Sequence, residues 1–149
     1  MQTIKVYYHD YHPLLKSVEP YRIKKIEQGD WIDLAVADDY LLKEGQHRLL
    51  SLGVSIELPK GYEAIMAPRS STFGKYGILV PNSPAVIDNS YCGIDDVWKL
   101  SAYATRNTFI PAGTRVAQFR IQPVQEEVEI VEVDTLDGKS RGGFGSTGD

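Results

Sequence analysis

Leu50-Ser51-Leu52-Gly53-Val54-Ser55-Ile56-Glu57-Leu58 carries an apolar side chain at every second position. Successive side chains of an extended chain point to opposite faces, so this alternation reads as a half-buried β-strand. It stops at the turn-forming Pro59-Lys60-Gly61. Tyr62, Ala64 and Met66 resume the same period, and the two runs together read as a hairpin. Working outward, Trp98, Leu100, Ala102 and Ala104 repeat every two residues, as do Ala117, Phe119 and Ile121 after the Pro111-Ala112-Gly113 turn. In Val128, Ile130, Val131 and Val133 the phase slips by one, the pattern of a bulge or of a strand changing partners. Helical periodicity is weak; a turn or two near Ser71 to Tyr76, capped by Ser70 or Ser71, is the best candidate. Many short strands with Gly/Pro turns predict an all-β antiparallel sandwich, barrel or jelly roll.

A chain of 149 residues suits one domain able to bury roughly two thirds of its unfolded surface. The expected division is a β-rich body over 1–134 and a glycine-rich tail over 135–149. Sixteen basic against 20 acidic residues give a formal charge of −4 without a Lys/Arg stripe, which argues against a long nucleic-acid footprint. A polyanionic ligand would therefore be met by a few placed arginines or a metal ion. Cys92 is the single cysteine, so no intrachain disulfide is possible. No apolar run approaches membrane-spanning length, and Met1-Gln2-Thr3-Ile4-Lys5-Val6 lacks the apolar block of a secretory signal, so a cytoplasmic protein is expected.

Three segments and the tail carry chemistry. Pro68-Arg69-Ser70-Ser71 puts a guanidinium fork and two hydroxyls where a strand gives way to a turn, a set suited to phosphate, although Arg-Ser turns are commonly solvated caps. Pro81 to Tyr91 stiffens a turn with two prolines and ends the apolar triplet Ala85-Val86-Ile87 at Asp88. An aspartate behind Val86 and Ile87 would be partly desolvated, which makes Asp88 a candidate general base. From spacing alone, an Asx-turn residue closing the hairpin is the simpler reading. Gly113 to Arg120 begins a strand in which Gln118 could meet a phosphate oxygen, and Arg115 could do likewise or simply pair with a neighbouring carboxylate. In the tail, Arg141-Gly142-Gly143-Phe144-Gly145-Ser146-Thr147-Gly148-Asp149 combines a cation, hydroxyls and one aromatic ring; five of the last twelve residues are glycine. Such freedom suits a lid that closes on a flat, anionic ligand, with Phe144 stacking on its ring, and for the tail alone a frayed terminus with a stray aromatic is an equal reading.

In this order the segments closely resemble the five motifs of the trimeric deoxyuridine triphosphatase (dUTPase) family. Asp30-Trp31-Ile32-Asp33-Leu34 sits where the first motif belongs, Pro68 to Ser71 the second, Asn82 to Gly93 the third, Gly113 to Gln118 the fourth and Arg141 to Gly148 the fifth. Asp95-Asp96-Val97-Trp98 is similar to a stretch in dUTPases of phages and prophages of Gram-positive bacteria. The resemblance implies a dUTPase-like jelly-roll (β-clip) subunit with a short helix, a homotrimer, a mobile C-terminal tail, and hydrolysis of dUTP to dUMP and pyrophosphate with Mg²⁺. It implies Asp88 as the residue activating water against the α-phosphorus. The hairpin through Asn82, Ala85, Val86 and Ile87 would read uracil, and Tyr91 would lie against deoxyribose, leaving no space for a 2′-hydroxyl. Arg69, Ser70, Ser71 and Gln118 match triphosphate contacts, Phe144 the uracil cover, Arg141 and Ser146 lid residues on the γ-phosphate, and Asp33 an outer-shell support for magnesium.

The chain departs from the family in three places. Trp31-Ile32 replace the small residue and glycine that usually precede the first aspartate, and the fifth motif is short between Arg141 and Phe144. Asp95 and Asp96 extend the acidic character beside Asp88, as a second metal site or, more simply, a solvated loop. A dCTP deaminase of the same fold would need a glutamate after the third motif, and none stands between Glu63 and Glu126. The other alternative is a nucleotide-responsive regulatory protein whose surface from Trp98 to Thr108 meets a repressor. His9, Asp10 and His12 resemble a zinc cluster only loosely.

Overall fold

A computed structural model describes residues 1–9 and 17–145. The alternating stretch divides into two strands, β4 (His47–Ser51) and β5 (Val54–Glu57). These follow β1 (Lys5–Tyr8), β2 (Ile32–Ala35) and β3 (Tyr40–Leu42). The expected continuous strand breaks at Gly53, whose φ of +69° lies in the left-handed region. A Cβ there would stand 2.7 Å from the Ala37 Cβ and 2.8 Å from the Tyr21 ring, so only glycine lets the chain turn this tightly. The break is where partners change: β4 pairs with β9 (Lys99–Ala104) and β5 with β1. Leu50, Leu52, Val54, Ile56 and Leu58 nevertheless all remain buried, so the alternation reports the face correctly and misses only the joint.

The expected hairpin is also absent. Tyr62 donates to the Pro59 carbonyl (3.1 Å), which closes the turn, but the turn carries the chain into a different sheet. There β6 (Tyr62–Pro68) lies between β11 (Arg115–Pro123) and β8 (Ala85–Ile87) in the order β2-β11-β6-β8. A second sheet has the order β4-β9-β7, with β7 at Ile78–Leu79, and β3 pairs with β10 (Thr108–Ile110). Every ladder is antiparallel. The two larger sheets meet where Trp98 and Phe119 pack edge to face at 5.1 Å, both fully buried. Each such ring removed from water contributes roughly 1.5–3 kcal/mol.

The helix α1 (Thr72–Tyr76) forms where expected, with Ser71 at its N-cap position but no side-chain cap bond. Two other ties hold it. The buried Thr72 hydroxyl donates to the Val116 carbonyl (2.7 Å), and Arg106 donates to the Lys75 carbonyl (2.7 Å) at the far end. Residues 124–134 form no strand and are exposed. Their alternation is therefore not realised, because a strand needs a partner for its amides and carbonyls and this chain offers none among the described residues. Among the described residues, no helix is long and apolar enough to cross a membrane.

Candidate functional site

β8 is the last strand of its sheet, paired through Ala64↔Ile87 and Met66↔Ala85, and Asp88 is the first residue to leave it. Beside it opens a cleft of about 670 Å³. Asn82, Ala85, Val86, Ile87, Asp88 and Tyr91 all line it, above Met66 and Trp98. Six of the site residues named from the sequence are thus brought together. The Trp98 indole N–H beneath them is buried and has no partner among the described residues.

Asp88 itself departs from expectation. Its carboxylate is exposed rather than desolvated: it lies just past the end of β8, and Val86, the expected shield, is itself 62% exposed. Oδ1 accepts hydrogen bonds from the Ser90 hydroxyl and from the Ser90 amide, the latter at 2.8 Å. These hold the carboxyl below its ordinary pKa, the hydroxyl contributing most, the amide next, and the slight burial opposing. The Asx turn and the cleft position therefore coexist in one residue. Asp88-Asn89-Ser90 is a turn signature that could have exposed this from sequence, since a hydroxyl two residues after Asp commonly returns to its carboxylate.

The following loop is tied down residue by residue. Asn89 donates to the carbonyls of Pro59 (3.0 Å) and Tyr62 (2.8 Å), and the Tyr91 hydroxyl donates to the Val97 carbonyl (3.1 Å). Asp96 accepts from the Gly93 amide (2.8 Å), and Asp95 is exposed. Ser55, which also meets the His9 ring (2.7 Å), donates to the Ile94 carbonyl (2.8 Å). His9 thus engages a serine, while Asp10 and His12 lie outside the described residues. No group of three metal-ligating side chains occurs among the described residues. Of the stretch Trp98 to Thr108, Trp98, Leu100, Ala102, Ala104 and Thr108 are buried, so the surface is reached by Lys99, Tyr103, Arg106 and Asn107.

Arg69, Ser70, Ser71 and Gln118 stand elsewhere. Arg69 follows the end of β6, where its Nε lies 3.3 Å from Asp33 Oδ1 and Arg115 Nη1 lies 3.7 Å from Asp33 Oδ2. The Asp33 side chain is 11% exposed against 37% and 31% for the two arginines, so the carboxylate sits beneath its cations. Gln118 faces Asp33 in the ladder and donates to the Pro68 carbonyl (3.2 Å). A register shift between Arg115 and Ala117 turns Arg115 toward this cluster. Ile87 is level with Ala64, which puts Asp88 at the level of Glu63; Arg69 is six residues further along β6, roughly 20 Å at strand rise. The two clusters of one chain therefore occupy opposite ends of a strand. Arg141 and Phe144 are exposed, and Ser146 lies outside the described residues.

The dUTPase family model matches residues 28–148. The chain is 51% identical over 127 residues to the SPbeta prophage-derived deoxyuridine 5'-triphosphate nucleotidohydrolase YosS of Bacillus subtilis, covering 85% of this chain and 89% of that protein. It is 42% identical over 120 residues to the deoxyuridine 5'-triphosphate nucleotidohydrolase of Hydrogenobaculum sp., covering 78% and 82%. Its fold is similar to the dUTPase of Staphylococcus bacteriophage 80alpha solved with dUPNHPP, with a TM-score of 0.76, 17% identity and 99% of both chains covered. The dUTPase of Streptococcus mutans aligns with a TM-score of 0.71 over 85% of this chain and 98% of that one, at 23% identity. With a matching model that spans both clusters and the tail, and relatives of this identity, the chain belongs to the dUTPase family.

Proposed function

We propose that this chain hydrolyses dUTP to dUMP and pyrophosphate, with Asp88 taking a proton from the water that attacks the α-phosphorus. The observation that carries the assignment of the base is the exposed Asp88 carboxylate lining a cleft of about 670 Å³, with Ser90 holding one oxygen and favouring the ionised form. A base in this position needs to be deprotonated and within reach of water, and hydrogen bonding to the charged form achieves the first without burial. Within the cleft, the backbone of the Asn82 to Ile87 hairpin reads the uracil edge. The Tyr91 ring, fixed through its hydroxyl to Val97, lies against deoxyribose.

Arg69, Ser70, Ser71 and Gln118 bind the phosphates, but not those of the nucleotide held by their own chain. The α-phosphorus must lie beside Asp88, and the other two phosphates follow within a few bonds, far short of the roughly 20 Å to Arg69. A second copy must supply the phosphate contacts, which supports a homotrimer whose sites lie between subunits. The tail brings Phe144 over uracil and Arg141 and Ser146 to the γ-phosphate, acting as a lid separate from the body over 1–134.

Magnesium belongs with the substrate. Asp33, the carboxylate offered to it by family resemblance, is engaged by two guanidiniums, and the described residues form no metal cage, so they do not fit a protein-held ion. Bound to the triphosphate, Mg²⁺ supplies charge neutralisation and shape. Pyrophosphate release measured against dUTP, dCTP, dTTP and UTP, with and without Mg²⁺, tests the whole reading: dUTP turnover should dominate and need the ion. Release of ammonia from dCTP would replace it with deamination.

A further inference from the structure

Asp88 has two carboxylate oxygens in different circumstances. Oδ1 already accepts the Ser90 hydroxyl and the Ser90 amide, which occupy its lone pairs, whereas no described hydrogen bond or ion pair reaches Oδ2. The residue between them is fixed independently. The Asn89 side-chain NH₂ spans two carbonyls of the Pro59 to Tyr62 turn, an arrangement that only the donor end of the amide can make. Tyr91 closes the set, its amide donating to the Asp88 carbonyl (3.0 Å). Asp88 is thus an exposed side chain on a pinned backbone.

We propose that Ser90 and Asn89 are positioning residues of the reaction: Ser90 withdraws Oδ1 so that Oδ2 alone faces the attacking water, and Asn89 anchors the turn that aims it. The inference deepens the assignment of Asp88 as the base and rests on it. An exposed carboxylate that rotates freely spends little time in the one orientation that receives a proton in line with attack, so locking one oxygen raises the effective concentration of the other. The same bonds favour the ionised form, which keeps the base competent in acid. Other charged and titratable groups surround Asp88: Asp96, Tyr91 and Lys99 in the cleft, Asp95 in the loop, Lys60 in the clamped turn and Glu63 at the next position of β6. None of them is the cause of its lowered pKa, which is Ser90.

Ser90→Ala removes the hydroxyl and keeps the amide, on an exposed turn where folding is not at stake. In the full-length protein kcat for dUTP should fall roughly tenfold, the loss expected for one hydrogen bond to a charged group, with KM unchanged. The acid limb of the pH profile should move to higher pH, and Ser90→Thr should restore both. Asn89→Ala should lower kcat without moving that limb. An unmoved limb and unchanged kcat in Ser90→Ala, beside an inactive Asp88→Asn, overturns the positioning role alone. If Asp88→Asn keeps its activity, the base assignment fails first and the positioning role fails with it.

Discussion

The cleft around Asp88 and the knot of Asp33, Arg69 and Arg115 are both polar, yet they are built in opposite ways. In the cleft, the reactive carboxylate is exposed, and its neighbours spend their hydrogen bonds on holding backbone: Asn89 on Pro59 and Tyr62, Tyr91 on Val97, Ser55 on Ile94. In the knot, the charges spend themselves on one another, with a mostly buried carboxylate under two half-exposed guanidiniums. The first arrangement is held in shape by its own hydrogen bonds, and on the function proposed above it receives the uracil and deoxyribose. The second neutralises its cations with its own carboxylate, and on the same proposed function a phosphate held by another copy of the chain would displace it. On that proposal, preorganisation within a chain and assembly between chains divide the work of one site.

The sharpest way to break this contrast is Asp88→Asn. It should lower turnover by about a thousandfold, within the range a positioned base contributes, while the variant still binds a non-hydrolysable dUTP analogue in an equilibrium titration. Unchanged pyrophosphate release would mean that the cleft is not the reactive half. In the wild type, Ser90 holds the carboxyl low, so the ionised and active form should persist as pH falls below the ordinary carboxylate range. Deleting residues 141–149 comes next. On the proposed function it removes a cover rather than a reacting group, so turnover should drop about a hundredfold through lost orientation. Circular dichroism and sedimentation should remain those of the intact protein, because the described part of this segment packs on nothing in its own chain.

Asp33→Asn acts on the other half. Losing a carboxylate that lies under two arginines should cost about 1 kcal/mol in urea unfolding, the upper end for an ion pair with solvent-exposed partners. The effect on catalysis should appear in KM, which would change more steeply with salt as the arginines lose their order. A fall in kcat with KM untouched would instead mean that Asp33 serves the reacting centre.

How much of this was legible in the sequence differs between the same two regions. The cleft residues could be read because Asn82 to Tyr91 is one continuous segment: a short strand with its flanking turns keeps neighbours in sequence neighbours in space. The knot gathers residues from β2, from β11 and from the turn just after β6, and nothing in the spacing of Asp33, Arg69 and Arg115 announces that they meet. Alternation of apolar side chains found the buried faces of β5, β9 and β11 because burial depends on side-chain direction alone. It missed the break at Gly53 and the absent hairpin because partner choice depends on backbone angle and on distant strands. For residues 128–133 the alternation had no partner within the described chain to act on. The exposure of Asp88 was missed because the apolar triplet before it says nothing about where the sheet ends.

The smallest effect sharpens the contrast most finely. Tyr91→Phe keeps the ring and removes only the hydroxyl bond to the Val97 carbonyl, an exposed bond worth about 0.5–1.5 kcal/mol at most. If the cleft is preorganised by its own tethers, a ring released from one of them tilts more freely and excludes a 2′-hydroxyl less strictly. The preference for dUTP over UTP should then weaken severalfold, with kcat for dUTP nearly unchanged. The base and its Ser90 lock are untouched by the substitution, so selectivity and rate should separate. A parallel fall in kcat for both nucleotides would show that the tether serves the whole loop, and that the cleft depends on collective rigidity rather than on individually placed bonds.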